Sequence, residues 1–186
     1  MLSAACTSRD DSDGPGTTTS TAAKPSISVS VNPAPEQDPA GSKPVAYDPC
    51  LEIGDETIAK AGFDPATRER SDQVHTGYAF IGCTFERKEQ VGGVSRRVGS
   101  LTISSTNISL DQFRKREGSA AREIKINGKE AITYGMAAAE ACNVVTNGPD
   151  GAIDVQVDSA AALSNWRGCD HVQEIASTID AVVSEK

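Results

Sequence analysis

Three aspartates, Asp150, Asp154 and Asp158, recur at every fourth position, and His75 and His171 are the only two histidines of the 186-residue chain. These are the groups with which such a chain could move protons. Paired carboxylates can hydrolyse a glycosidic bond, one as acid and the other as base or nucleophile. On a strand the even spacing puts Asp154 and Asp158 on one face. No aromatic platform for a sugar accompanies them in the sequence. The spacing also differs from a calcium loop, which wants oxygens at alternate positions and a central glycine. A solvated sheet face is the simpler reading. Nucleophilic catalysis needs a base held beside a nucleophile. There is no Gly-x-Ser-x-Gly elbow, His75 falls in a polar stretch, and His171 falls near the first turn of a helix. No catalytic residue is therefore expected, and the chain reads as a non-enzyme.

Metal and cofactor chemistry find little support. No Cys-x-x-Cys occurs, and neither histidine has ligand spacing to a second one. The closeness of His171 to Cys169 is a weak hint, so no metal site is expected. Gly92-Gly93 lacks the following helix of a phosphate loop and reads as a turn; no cofactor is implied. Arg87, Lys88, Arg96 and Arg97 bracket that turn, and Arg114, Lys115 and Arg116 lie on a short helix. If the two groups meet in space they could face anionic lipid heads or an acidic glycan; otherwise they are solvated charges. The net charge of −8 argues against nucleic acid as a partner. Trp166 is expected to pack over a neighbouring disulfide. Asn107-Ile108-Ser109 fits a glycan acceptor pattern, but Ser109 also fits a helix cap.

Beyond Cys6 there are four cysteines, Cys50, Cys83, Cys142 and Cys169, which allow three pairings. The pairing Cys50–Cys83 with Cys142–Cys169 closes two loops of about 30 residues and ties a helix entrance to a strand each time; by chain entropy each contributes roughly 3.5–4 kcal/mol. Such bonds persist outside the reducing cytosol. The alternative is four reduced cysteines in a cytosolic protein.

The amino-terminal segment agrees with export. Met1-Leu2-Ser3-Ala4-Ala5-Cys6 resembles the end of a bacterial lipoprotein signal, in which small residues precede a cysteine that becomes lipidated. The leucine sits one place further out than usual. The basic and apolar regions of a signal peptide are expected upstream of this start. From Thr7 to Val31, 11 of 25 residues are Ser or Thr, and six prolines lie between Pro15 and Pro44. All eight aromatics fall between Tyr47 and Trp166. Residues 7–46 thus read as a disordered tether, and residues 47–186 as one domain with a core. No apolar run is long enough to span a bilayer.

Within the domain, Asp55 is placed to cap a helix ending before Gly62, and Asp64-Pro65 opens a loop. Tyr78–Phe85 and Val98–Ser104 read as strands. Ser109-Leu110-Asp111-Gln112 has the form of a capping box before a helix bearing Leu110 and Phe113. Ile124–Ile126 and Ala131–Tyr134 flank Asn127-Gly128, a strong hairpin signal. Ala141–Thr146 and Ala152–Val157 flank a second turn. Asp170 is placed to cap a last helix, whose stripe runs through Val172, Ile175, Ala176, Ile179, Val182 and Val183. The predicted fold is α+β: an antiparallel sheet of five or six strands with helices packed on one side, held by two disulfides.

Asp48-Pro49-Cys50-Leu51, Gly82-Cys83-Thr84-Phe85, Asn127-Gly128-Lys129-Glu130-Ala131, Cys142-Asn143-Val144-Val145 and Cys169 form a series over residues 47–185. It resembles an LprB/LprC-like family of actinobacterial secreted lipoproteins whose domain has no known function. The resemblance implies a lipidated Cys6 and a tether, and no catalytic residue. The reading that follows is a non-catalytic cell-envelope lipoprotein on the outer face of the cytoplasmic membrane, held there by its lipid. Its partner would be an envelope protein, a lipid or a glycan. A carboxylate-based envelope hydrolase is the alternative. A deep pocket joining Asp150, Asp154 or His75 would favour the enzyme, an apolar groove would favour lipid, and a flat polar surface a protein partner.

Overall fold

The computed structural model describes residues 25–38, 40–136 and 140–184. Cys6 and residues 7–24 of the expected tether lie outside them. Eight strands and four helices follow one another as α1 (Pro49–Glu52), α2 (Asp55–Lys60), β1 (Asp64–Arg70), β2 (Gln73–His75), β3 (Tyr78–Val91), β4 (Val94–Thr106), α3 (Leu110–Glu117), β5 (Arg122–Ile126), β6 (Lys129–Met136), β7 (Ala141–Asn147), β8 (Ala152–Ser159) and α4 (Gly168–Val183). One antiparallel sheet has the order β1-β3-β4-β8-β7-β6-β5, with β2 pairing β3 beyond the end of β1.

The sheet is larger than the five or six strands predicted. The two additions are β1 and β2, which the sequence disguises. Asp64-Pro65-Ala66-Thr67-Arg68-Glu69-Arg70 has no alternating apolar residues, because its one inward side chain is Arg68. As an edge strand, β1 also tolerates Pro65. Both predicted hairpins form, and Asn127 takes the positive φ of 50° that its turn requires.

Helices cover both faces, not one. The main core joins Cys50, Ile53 and Ile58 from α1 and α2, and Val172, Ile175 and Ile179 from α4, to Phe85, Leu101, Ile103, Val155 and Val157. On the opposite face α3 seats Leu110 and Phe113 against Ile132, Tyr134, Val145 and Ala152. Val144 belongs to the first core and Val145 to the second, as strand alternation demands.

The caps differ in part from expectation. Ser109 and Gln112 form the capping box of α3. Asp55 is the first residue of α2 rather than its cap; its carboxylate accepts from Ser28 and Arg68 instead. Asp48 caps α1. The last helix starts at Gly168, ahead of Asp170, and has no side-chain cap.

Between Pro25 and Tyr47 the described residues form no helix or strand, and they lie against the domain. Asp55 N–H donates to the Ser26 carbonyl, and the Gln37 side-chain amide pairs with both backbone groups of Val45. Val45 is buried with Ala79 and Ile81.

Both expected disulfides form, with Cα separations of 5.1 Å for Cys50–Cys83 and 5.2 Å for Cys142–Cys169. They point to an oxidising, extracytoplasmic compartment. Among the described residues no helix is long and apolar enough to cross a membrane. The two bonds differ in access: Cys50 and Cys83 are fully buried, whereas Cys169 is exposed. Under graded reduction of the folded protein followed by thiol alkylation, Cys142 and Cys169 should be labelled first, and Cys50 and Cys83 only on unfolding. Mass spectrometry of the labelled peptides reads the order; simultaneous labelling would contradict it.

Candidate functional site

The sheet face opposite the main core is only partly covered by α3, and the uncovered part forms a cleft of about 330 Å³. Its floor is polar. Thr102, Gln156, Asn143 and Tyr134 stand side by side across β4, β8, β7 and β6, because each faces the next in register. Ser104 and Asp154 form the neighbouring row. Arg116 of α3 closes one side. On the other side His75 and Tyr78 stack with ring centroids 4.6 Å apart, and Phe80 meets Tyr78 edge-on.

Two acceptors dominate the floor. Asn143 is buried, and its Nδ2 donates to Asp154 Oδ1 at 2.8 Å. Its Oδ1 is shielded from water and meets no donor among the described residues. A buried acceptor left unmet costs stability, on the order of 1–3 kcal/mol, and so calls for an explanation. Burial pushes the Asp154 carboxyl up to about 6, against the opposing pull of the Asn143 amide and the Arg116 guanidinium; the nearby Glu117 adds to the rise. Burial also raises the Tyr134 hydroxyl.

Of the residues that the sequence singles out, the cleft brings together Asp154, His75 and Arg116 and leaves out the others. Asp150 accepts from the backbone N–H groups of Ala46 and Tyr47 and from the Ser105 hydroxyl, so it fastens the incoming chain. Asp158 shares the face of Asp154 but accepts from Ser100. His171 stacks on Trp166. Trp166 lies against Gly99, where a Cβ would come within 2.3 Å of the indole, and meets Phe63 edge-on and Arg87 at 4.9 Å. The two basic groups do not meet, since one lies at the β3–β4 turn and the other follows the far end of β4. Most of their members are paired: Arg87 with Glu89, Lys88 with Asp64 and Glu86, Arg114 with Asp111, Glu123 and Glu130, and Arg116 with Glu117. Among the described residues no cluster of His, Cys, Asp and Glu is placed to hold a metal.

Sequence reasoning missed Asn143, Gln156, Thr102 and the aromatic wall. The expectation that no aromatic platform accompanies the aspartates is overturned. Tyr78 and Phe80 are about 75 residues from Asp154 in sequence, and strand pairing through β4 closes the gap. The available signal was their spacing of two, which puts both on one face of β3.

A family model described as "Protein of unknown function (DUF3558)" matches residues 1–181. The chain belongs to the DUF3558 family. No curated protein and no solved structure matches it. The match spans both Cys6 and every residue of the cleft.

The raised Asp154 carboxyl makes a prediction about stability. The folded protein holds this proton more tightly than the unfolded chain, whose carboxyl titrates near 3.8. Stability from this group is fully present below that value and is lost as the pH rises through about 6. Asp154→Asn should flatten this slope and raise stability at neutral pH by an amount on the order of 2–3 kcal/mol. Urea unfolding of both proteins from pH 4 to 7 tests it; parallel curves would show that Asp154 is ordinarily solvated.

Proposed function

We propose that this protein is a non-catalytic binding domain of an LprB/LprC-like envelope lipoprotein. Lipid on Cys6 holds it on the outer face of the cytoplasmic membrane, and the sheet-face cleft captures a small polar ligand there. The observation that carries the reading is the unmet Asn143 Oδ1 beneath the cleft floor. A protein that keeps a buried acceptor unpaired beside a half-buried carboxylate has a place for a donor from outside. The anchor is supported by the small residues before Cys6 and by the Ser/Thr/Pro-rich segment after it.

A hydrolase is the second reading, favoured by the raised carboxyl of Asp154. It needs a second carboxylate across the reacting bond. Asp154 is the one carboxylate among the described residues lining the cleft, and Asp150 and Asp158 are engaged elsewhere. Binding is therefore the better fit.

Two experiments test the proposal. Titrating the isotopically labelled protein with a mixture of small neutral polar fragments should shift the NMR signals of the Asn143 side-chain amide and of Asp154. No movement of either signal would refute the cleft as a binding site. Expressed behind a lipoprotein signal, the chain should partition into the membrane fraction, and Cys6→Ser should release it or leave it unprocessed. Mature Cys6→Ser protein still in the membrane would refute the anchor.

A further inference from the structure

The cleft's chemistry narrows the ligand class, an inference that rests on the cleft being a binding site. Asn143 spends its amide donor on Asp154 Oδ1. What remains on either side of that bond is a pair of acceptors, Asn143 Oδ1 and Asp154 Oδ2, neither of which accepts a hydrogen bond from a described residue. The oxygen and nitrogen of an amide sit on one carbon, and so do the two oxygens of a carboxylate. Joined through that one hydrogen bond, the two free acceptors lie within reach of two donors carried by one small ligand. Two hydroxyls of one sugar ring are such a pair of donors.

The rest of the cleft suits the same ligand. A pyranose ring is amphipathic: its C–H groups present an apolar face and its hydroxyls radiate from the edge. The exposed His75–Tyr78 stack offers a flat wall for the apolar face. Thr102, Ser104 and Gln156 offer groups that both donate and accept, as hydroxyls require. Among the lining residues one carboxylate, Asp154, stands with one guanidinium, Arg116, whose Nε donates to Glu117 just outside the lining. The volume lies at the small end of ligand cavities, enough for a short saccharide. Gln156, half-buried and directly opposite Asn143, is its neighbour on the cleft floor.

We infer that the cleft binds a neutral saccharide, with a vicinal diol donating to Asn143 Oδ1 and Asp154 and the ring's apolar face against the His75–Tyr78 stack. An ammonium ligand is the competing donor, since it could also fill both acceptors.

The test is a titration of the labelled full chain, followed by NMR, with methyl glycosides of mannose, galactose and glucose, their deoxy analogues that lack one hydroxyl of each vicinal pair, and n-propylammonium. At least one glycoside should shift the Asn143 side-chain amide, Asp154 and Tyr78 saturably. Its deoxy analogue and the Asn143→Ala variant should each weaken binding tenfold or more. Tyr78→Ala, at an exposed position where folding is not at stake, should weaken it several-fold. Shifts with propylammonium and none with the glycosides would overturn the inference. So would a glycoside that binds equally well without its vicinal pair or without Tyr78. If the neutral fragments of the preceding test move Asn143 and Asp154 while no glycoside does, the saccharide inference falls and the binding cleft stands. If nothing moves them, both fall.

Discussion

A side chain on a β-strand points to one face of the sheet or the other, and that two-way alternation governs this molecule. Phe85, Leu101, Ile103, Val144, Val155 and Val157 all point to the face covered by α1, α2 and α4. Their immediate neighbours Thr102, Asn143, Asp154 and Gln156 must then point the other way, into the cleft. Core and candidate site are two sides of one register. Slipping a central strand by one residue would bury Asp154 among the helices and expose Val155. The continuous pairing of β3 with β4, β4 with β8 and β8 with β7 holds the register. The dense apolar face makes any slip costly.

The helix-covered face is closed by devices suited to a chain with few aromatics. The Cys50–Cys83 bond joins α1 to β3 at the centre of the core. Beside it Arg68, almost wholly buried, donates to the carbonyls of Cys50 and Ile53 and to the Asp55 carboxylate, with its guanidinium 4.9 Å above the Phe85 ring. Burying a charge is costly unless its donors are met. Here Arg68 meets the last carbonyls of α1, which would otherwise lack partners. Asp55 also holds Ser28, so a single carboxylate links the incoming chain, α2 and β1. Asp150 repeats the device further along at Ala46 and Tyr47. The polar side chains of the amino-terminal segment are thus used to fasten it, and Val45 extends the core under β3.

The cleft differs from that economy in one respect. Elsewhere most buried polar groups are met, Tyr47 Oη and Arg68 Nε apart: Arg70 sits between Asp48 and Asp72, and Asp180 takes Asn127 and Lys129. Asn143 is satisfied on its donor side and unmet on its acceptor side. Fold stability alone would favour an apolar residue or a paired amide at that position. On the proposed reading, the polar row running from Thr102 to Tyr134, flanked by aromatics, serves recognition rather than packing.

Local chemistry was enough to determine much of this protein. Alternating and aromatic residues marked six of the eight strands, Asn127-Gly128 marked a hairpin because of its backbone freedom, and Ser109 with Gln112 marked a helix start. The spacing of four cysteines, each next to a helix entrance or within a strand, led to both disulfides and hence to an oxidising compartment. These features depend on neighbours a few residues away or on a small set of alternatives. Edge strand β1 was hidden because its inward residue is an arginine, and the face chosen by α3 was hidden because an amphipathic helix does not say which apolar surface it will meet. The cleft was hidden for a related reason. His75, Tyr78, Thr102, Arg116, Tyr134, Asn143 and Asp154 come from seven separate elements, and each alone reads as an ordinary polar or aromatic position. Only the order of strands in the sheet sets them side by side, and that order is decided by the total burial of all the strands together, a quantity no short segment carries.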